Sequence, residues 1–359
     1  MLDKRTWARE MLERHSTDLR QFIGFKQSTL VNGMRVIEAY NVTGLRYTIL
    51  PDRGMDIWMA DYRGIPLTWV AQGSPFPPDY GQPWLGQFSG GLLTTCGLTH
   101  SGPPEHDDET GAFRDLHGLY TRQRALEPSI SGGWEDDDYV LRLTASVAEG
   151  ALHGYQLRLV RTYELSLTAP EIRVHDTITN IGDQPTPLMV LYHLNVGYPM
   201  VKQGTRLELA GKNVPRDEEA RKGAERWAEY DAAIRGYAEQ VYFHHVHVNS
   251  DETEVALISD DDLALGFRYN AAKLPYLTQW KNQRHGMYVH GIEPANCLPE
   301  GRNAARKTGR LQYIEPDQVI DFGRITMTVY TDEQAVGALK GRIASLRSDG
   351  EPVQGCKLP

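Results

Sequence analysis

The chain has 359 residues, a net charge of -9, 40% hydrophobic residues and 24% charged residues. These are the proportions of a soluble globular protein, and the negative balance argues against nucleic acid or an anionic membrane surface as the main partner. Three scattered cysteines, Cys96, Cys297 and Cys356, exclude a disulfide framework, and no apolar run reaches the length of a membrane span.

In chain order, residues 1–22 mix charges with no apolar stretch, unlike a signal peptide, so a cytoplasmic location is expected. Within them, Trp7, Met11 and Leu12 recur at helical spacing, which predicts a helix over residues 2–15 lying on a sheet. From residue 29 the pattern changes to short β-rich runs at 34–40, 45–50 and 57–62. Asn41, Gly44 and the charged turn Pro51-Asp52-Arg53-Gly54-Met55-Asp56 separate them, as in a meander of antiparallel hairpins. Residues 72–87 form a loop rich in Pro, Gly and aromatics, a composition more typical of functional covers than of filler. Residues 89–100 form a glycine-interrupted strand, a sign of close approach by a ligand or another backbone. The acidic stretch 102–111 is expected to be disordered.

Further strands are predicted at 139–147, 155–165, 171–180, 188–196 and 205–211. Residues 212–239 are charged and helix-compatible, and are expected to be an insertion with a short helix. Strands resume at 241–248, 254–259, 263–269, 276–280, 287–290 and 319–330. A terminal helix over 332–346 carries Val336, Leu339 and Ile343 on one side, and the last dozen residues are expected to be mobile. Many strands, a helix at each end and no βαβ alternation argue an all-β fold, a large antiparallel sandwich. One domain over residues 23–331 is expected, flanked by segments 1–22 and 332–359. Its edge strands leave a homodimer open.

Three stretches carry chemistry. Leu188-Met189-Val190-Leu191-Tyr192-His193-Leu194-Asn195 is a buried-strand pattern that puts His193 and Asn195 on one face. Asp115-Leu116-His117-Gly118 and His290-Gly291-Ile292-Glu293-Pro294 each set acid/base residues beside a glycine. A glutamate base and a histidine acid facing one pocket would take a proton from one oxygen and give one to another. Interconversion of sugar anomers requires such a pair.

At this point the chain resembles the galactose mutarotase-like, or aldose 1-epimerase, superfamily, in its uncharacterised bacterial epimerase-like branch. The resemblance runs over roughly residues 25–330, through Leu116-His117-Gly118, Tyr192-His193-Leu194-Asn195, Leu274-Pro275-Tyr276-Leu277-Thr278-Gln279-Trp280 and Gly291-Ile292-Glu293-Pro294. It implies a β-supersandwich, no cofactor and no metal, and a small-molecule sugar as partner. It implies Glu293 as general base on the anomeric hydroxyl, His193 as general acid at the ring oxygen and His117 as a polarising contact. Trp280 would stack on the sugar. The family's Asn-Arg pair upstream of the first histidine is absent, and Gly90-Gly91 and Cys96 stand there instead. His100, Asn195, Asp52, Arg53 and Arg302 are the remaining candidates for sugar contacts.

Two other readings stay open. A divalent metal held by His100, His117, His193 and Glu293 would make a metal-dependent sugar isomerase in the same pocket. A non-catalytic carbohydrate-binding protein would need aromatics and donors but no acid/base pair. His244, His245 and His247 lack further ligands at diagnostic spacing. Arg302, Arg306 and Lys307 could receive a phosphate, or form a solvated basic loop.

Overall fold

The computed structural model describes residues 4–359, so the first two residues of the expected N-terminal helix lie outside the described residues. The chain opens with a short helix α1 (Arg9–His15), whose Leu12 is buried against the core. Strands β1 (Gly24–Thr29), β2 (Arg35–Tyr40), β3 (Leu45–Leu50), β4 (Asp56–Tyr62) and β5 (Ile65–Pro66) follow as a meander, consecutive in one five-stranded sheet. After the loop come β6 (Thr94–Cys96), the small hairpin β7 (Glu105–His106) and β8 (Phe113–Arg114), then β9 (Leu126–Glu135), β10 (Asp138–Gly150), β11 (Gln156–Ser166) and β12 (Glu171–Asn180). The next strands are β13 (Thr186–Leu188), β14 (Leu191–Val196), β15 (Arg206–Glu208) and β16 (Gly211–Pro215), followed by helix α2 (Glu218–Lys222). The chain continues with β17 (Gln240–Val248), β18 (Glu252–Asp260), β19 (Leu263–Asn270), β20 (Tyr276–Arg284), β21 (Met287–Ala295) and helix α3 (Arg302–Lys307). It closes with β22 (Gln312–Ile314), β23 (Val319–Tyr330), helix α4 (Glu333–Asp349) and β24 (Glu351–Pro352).

Two large antiparallel sheets dominate, as the strand pattern predicts. One runs β15-β18-β19-β23-β12-β11-β10-β9 and the other β16-β17-β20-β21-β14-β6, with β24 added on β17. In β12 every second residue is buried, so Ile172, Val174 and Ile178 point into the sandwich. Tyr192, Leu194, Leu277 and Ile292 of the second sheet join the same cluster as Leu257, Leu265, Phe267 and Ile325 of the first. Burial of this apolar area is the main stabilising term. Strand β14 differs: all six residues are buried, on both faces. One face meets the core, and the other is covered by loop.

An ionic knot fixes β14 from behind. Arg161 on β11, fully buried, reaches Asp176 on β12 at 2.7 Å and Asp56 on β4 at 3.0 Å, and donates to Thr95 Oγ1 on β6 at 2.9 Å. Tyr192 OH donates to the same Asp176 at 2.9 Å. Buried charges need such full pairing, and removing one partner costs about 3–5 kcal/mol.

Several sequence expectations require correction. The 212–239 insertion begins with a strand, because residues 212–215 of β16 pair with β17. Strand β9 and helix α3 go unread in the sequence, β9 because its burial is too weak to leave an alternating pattern. Residues 102–111 are ordered: Asp107 is buried, and Arg302 donates to it at 2.8 Å. The final residues are held too, by β24 on β17 and by buried Val353. No helix among the described residues is long and apolar enough to cross a membrane.

Candidate active site

Antiparallel register assembles the centre of the site. Leu194 pairs with Ile292 and Asn195 with Gly291 across β14 and β21, which sets His193 opposite Glu293. On the other side of β21, Thr278 of β20 pairs with Glu293, and Trp280 pairs with Gly291. Side chains two apart share a face, so His193, Glu293, Thr278 and Trp280 converge on the face away from the core. His193 Nε2 lies 3.2 Å from Glu293 Oε1. Gly291 forms the floor between them. A Cβ there would lie 2.7 Å from Glu293 Oε1, 2.8 Å from Trp280 Cβ and 3.3 Å from His193 Cε1, so only glycine leaves the pair its space.

Aromatic rings wall this floor. The Trp280 ring meets His193 edge-on with centroids 5.4 Å apart, and Phe88 lies 5.7 Å from His193. Trp84 stacks on Phe88 at 4.6 Å and lies 5.0 Å from His117, whose ring is 6.2 Å from His193. Trp84 and Phe88 belong to the Pro/Gly-rich loop, which Arg53 anchors by donating to Gln87 Oε1 at 2.9 Å and Gln87 O at 3.0 Å. Gln87 Nε2 in turn donates to the carbonyls of Asp79 and Gln82, at 2.7 and 2.9 Å. The opposite rim comes from the insertion after β16. Trp280 Nε1 donates to Glu239 Oε2 at 2.6 Å, and Arg216 lies 3.5 Å from Glu239.

Electrostatics set the pair apart. Burial pushes Glu293 up to about 8, helped by the Glu239 charge. Burial pushes His193 down to about 4, while nearby Asn195 favours its protonated form. Each shift disfavours charge, so around neutral pH the two groups hold one proton between them. His117 is half-buried and pushed down to about 3 by burial and by the neighbouring His193 and His100. Its φ of 54° is unusual for a non-glycine residue. Hydrogen bonds lock it there: His117 N donates to Gly102 O and Gly97 N to His117 O, both at 2.9 Å.

The structure thus brings together His193, Glu293, His117 and Trp280. It places the other candidates in framework roles. Asn195 is fully buried and donates to the carbonyls of Gly91 and His193, both at 3.0 Å, behind the His193 ring. Asp52 accepts from Arg35 N and from its guanidinium. Arg53 is 2% exposed and committed to Gln87. Arg302 is fully buried against Asp107 and the Thr99 carbonyl. His100 is buried, with Nε2 at 3.0 Å from Pro103 O and Nδ1 at 3.6 Å from Glu105. Among the described residues no three His, Cys, Asp or Glu side chains converge to hold a metal ion, and the cup of His100, His117, His193 and Glu293 is not formed.

Sequence reasoning missed Trp84, Phe88, Thr278 and Glu239. Thr278 was accessible through the two-residue period it shares with Trp280, whereas Trp84 and Phe88 reach the site through loop geometry that leaves no periodic trace.

A family model described as "Domain of unknown function (DUF4432)" matches residues 31–329. No curated protein matches the sequence. Among solved structures, a "putative aldose 1-epimerase" from Klebsiella pneumoniae subsp. pneumoniae MGH 78578 is similar, with TM-score 0.82, 23% identity and coverage of 93% of this chain and 91% of that one. A galactose mutarotase-like protein from Clostridium acetobutylicum gives TM-score 0.60 at 12% identity over 86% and 98% of the two chains. A galactose 1-epimerase from Lactobacillus acidophilus NCFM gives 0.56 at 11% over 86% and 99%. At such identities the likeness establishes the fold, a galactose mutarotase-like β-sandwich.

Proposed function

The chain belongs to the DUF4432 family, and on that premise we propose that it is a carbohydrate epimerase that opens and closes the ring of an aldose, or an aldose derivative, at its anomeric carbon. The observation that supports this reading is the His193–Glu293 pair, 3.2 Å apart on adjacent strands, enclosed by aromatic rings and holding one proton. Ring opening needs a base at the anomeric hydroxyl and an acid at the ring oxygen, two oxygens borne by the same carbon. With the shared proton on His193, Glu293 takes the hydroxyl proton, the carbonyl forms, the bond from the anomeric carbon to the ring oxygen breaks, and His193 delivers its proton to that oxygen. Rotation about the bond next to the carbonyl exposes its other face. Closure runs the steps backward and restores the pair.

His117 donates or accepts at a substrate oxygen, since burial keeps its imidazole neutral. Trp280 and Phe88 present apolar surface to the C–H face of the ring. The pair distinguishes this reading from a passive sugar binder, for which a mutually displaced acid and base on one face has no use.

The test is NMR exchange between α and β anomeric protons over a panel of free sugars, uronates and sugar phosphates, with and without EDTA. Catalysed exchange on at least one sugar, unaffected by EDTA, is expected. Binding without exchange on every sugar would replace the epimerase with a carbohydrate-binding protein, and ketose signals that vanish with EDTA would replace it with a metal-dependent isomerase.

A further inference from the structure

Segment 115–122 separates the cleft from a second cavity of about 340 Å³, a size typical of small-molecule sites. His117 faces the cleft, whereas Asp115, Gly118 and Arg122 line the cavity with His100 and Arg114. The charges there do not balance. No carboxylate among the described residues lies within 4.0 Å of the Arg114 guanidinium, and its Nε is buried without a partner. Glu105, the ladder partner of Arg114, instead accepts from Asn303 N at 3.0 Å. Arg122 is 3% exposed and donates through Nη2 to Asp115, leaving its buried Nε unpaired as well. His100 Nε2 faces the Pro103 carbonyl, so the neutral ring presents Nδ1, also unpaired, as an acceptor.

Buried guanidinium donors without partners cost free energy that a bound anion would recover. We propose that this cavity binds the carboxylate or phosphate of a small hydroxylated molecule. Arg114 is the charged anchor, Arg122 Nε a second donor, and His100 Nδ1 accepts from a hydroxyl. The cavity stands back to back with the cleft, and Asp115 joins them by accepting from Trp84 N at 2.9 Å. This site is additional to the epimerase chemistry.

The test reads binding without turnover, so it stands or falls apart from the reaction. The full-length chain is titrated calorimetrically with inorganic phosphate at constant ionic strength. Saturable binding at one site is expected. Arg114→Gln should weaken it at least about tenfold, the usual loss for a charge-assisted hydrogen bond, with the melting temperature unchanged and Arg114→Lys intermediate. Glu293→Gln should bind phosphate like the wild type. Absence of saturable binding, equal binding by Arg114→Gln, or loss of phosphate binding in Glu293→Gln would each overturn the assignment. Glucose 6-phosphate identifies the source. Tighter binding than phosphate, with the excess lost in Glu293→Gln, would assign the anion to the substrate's own acid group. Equal affinities would assign it to a separate molecule.

Discussion

The two faces of the β17-β20-β21-β14 sheet carry similar residues to opposite ends. The interior face holds His244, Gln279, Lys281 and His290, all buried. His244 Nε2 is 3.1 Å from Gln279 Oε1, Gln279 donates to Trp227 O at 2.9 Å, Lys281 to Arg226 O at 2.7 Å, and His290 Nδ1 is 2.7 Å from Tyr230 OH. Each partner is neutral at physiological pH. Burial and the Lys281 charge push His290 well below the usual imidazole range, so it has no proton to trade. The outer face holds His193 against a carboxyl whose own affinity for protons is raised. Burial of histidine is common to both faces. What marks the candidate site is an acid and a base displaced in opposite directions and sharing one proton.

Substitutions on the two faces should therefore separate. Glu293→Gln is expected to lower anomer exchange roughly 10³-fold while keeping sugar affinity, measured by NMR exchange and titration. His290→Gln, three residues away on the same strand, should leave the rate within about threefold and lower the melting temperature, because it breaks the Tyr230 contact at 2.7 Å. Equal rate losses at both positions would erase the contrast.

Gly291→Ala tests the space rather than the groups. The added methyl would intrude to 2.7 Å from Glu293 Oε1, so the pair must part, and the rate should fall by about 10- to 100-fold with both titrating groups intact. The smallest effect is that of pH. Below about 4 both groups carry protons and no base remains; above about 8 neither does and no acid remains. The kcat/KM profile of the wild type should be a bell between those limbs, and Glu293→Gln should lose the alkaline limb.

Most of the architecture was legible because strands and turns are local. The alternation in 171–180 and the apolar run before His193 announced themselves. Of the site, His193, Glu293, His117 and Trp280 were accessible through short motifs. The charged candidates misled, because a sequence does not reveal which partner a charge meets. Asp52 and Arg302 look like ligand contacts until Arg35 and Asp107 are seen against them. Arg114, unpaired, drew no attention in the sequence, because only tertiary structure reveals a missing counter-charge.

The register of β14 against β21 has an evolutionary corollary. Pairing of Leu194 with Ile292 is what sets His193 across from Glu293. Sliding either strand by one position would turn its titrating residue toward the core and bring an aliphatic neighbour out in its place. Point changes along these strands can be absorbed one at a time, but a single-codon deletion in either would remove the reactive pair at a stroke. A library of in-frame indels should therefore show two sharp troughs of intolerance, over residues 191–196 and 287–295, in a chain whose hairpin tips accept length changes freely.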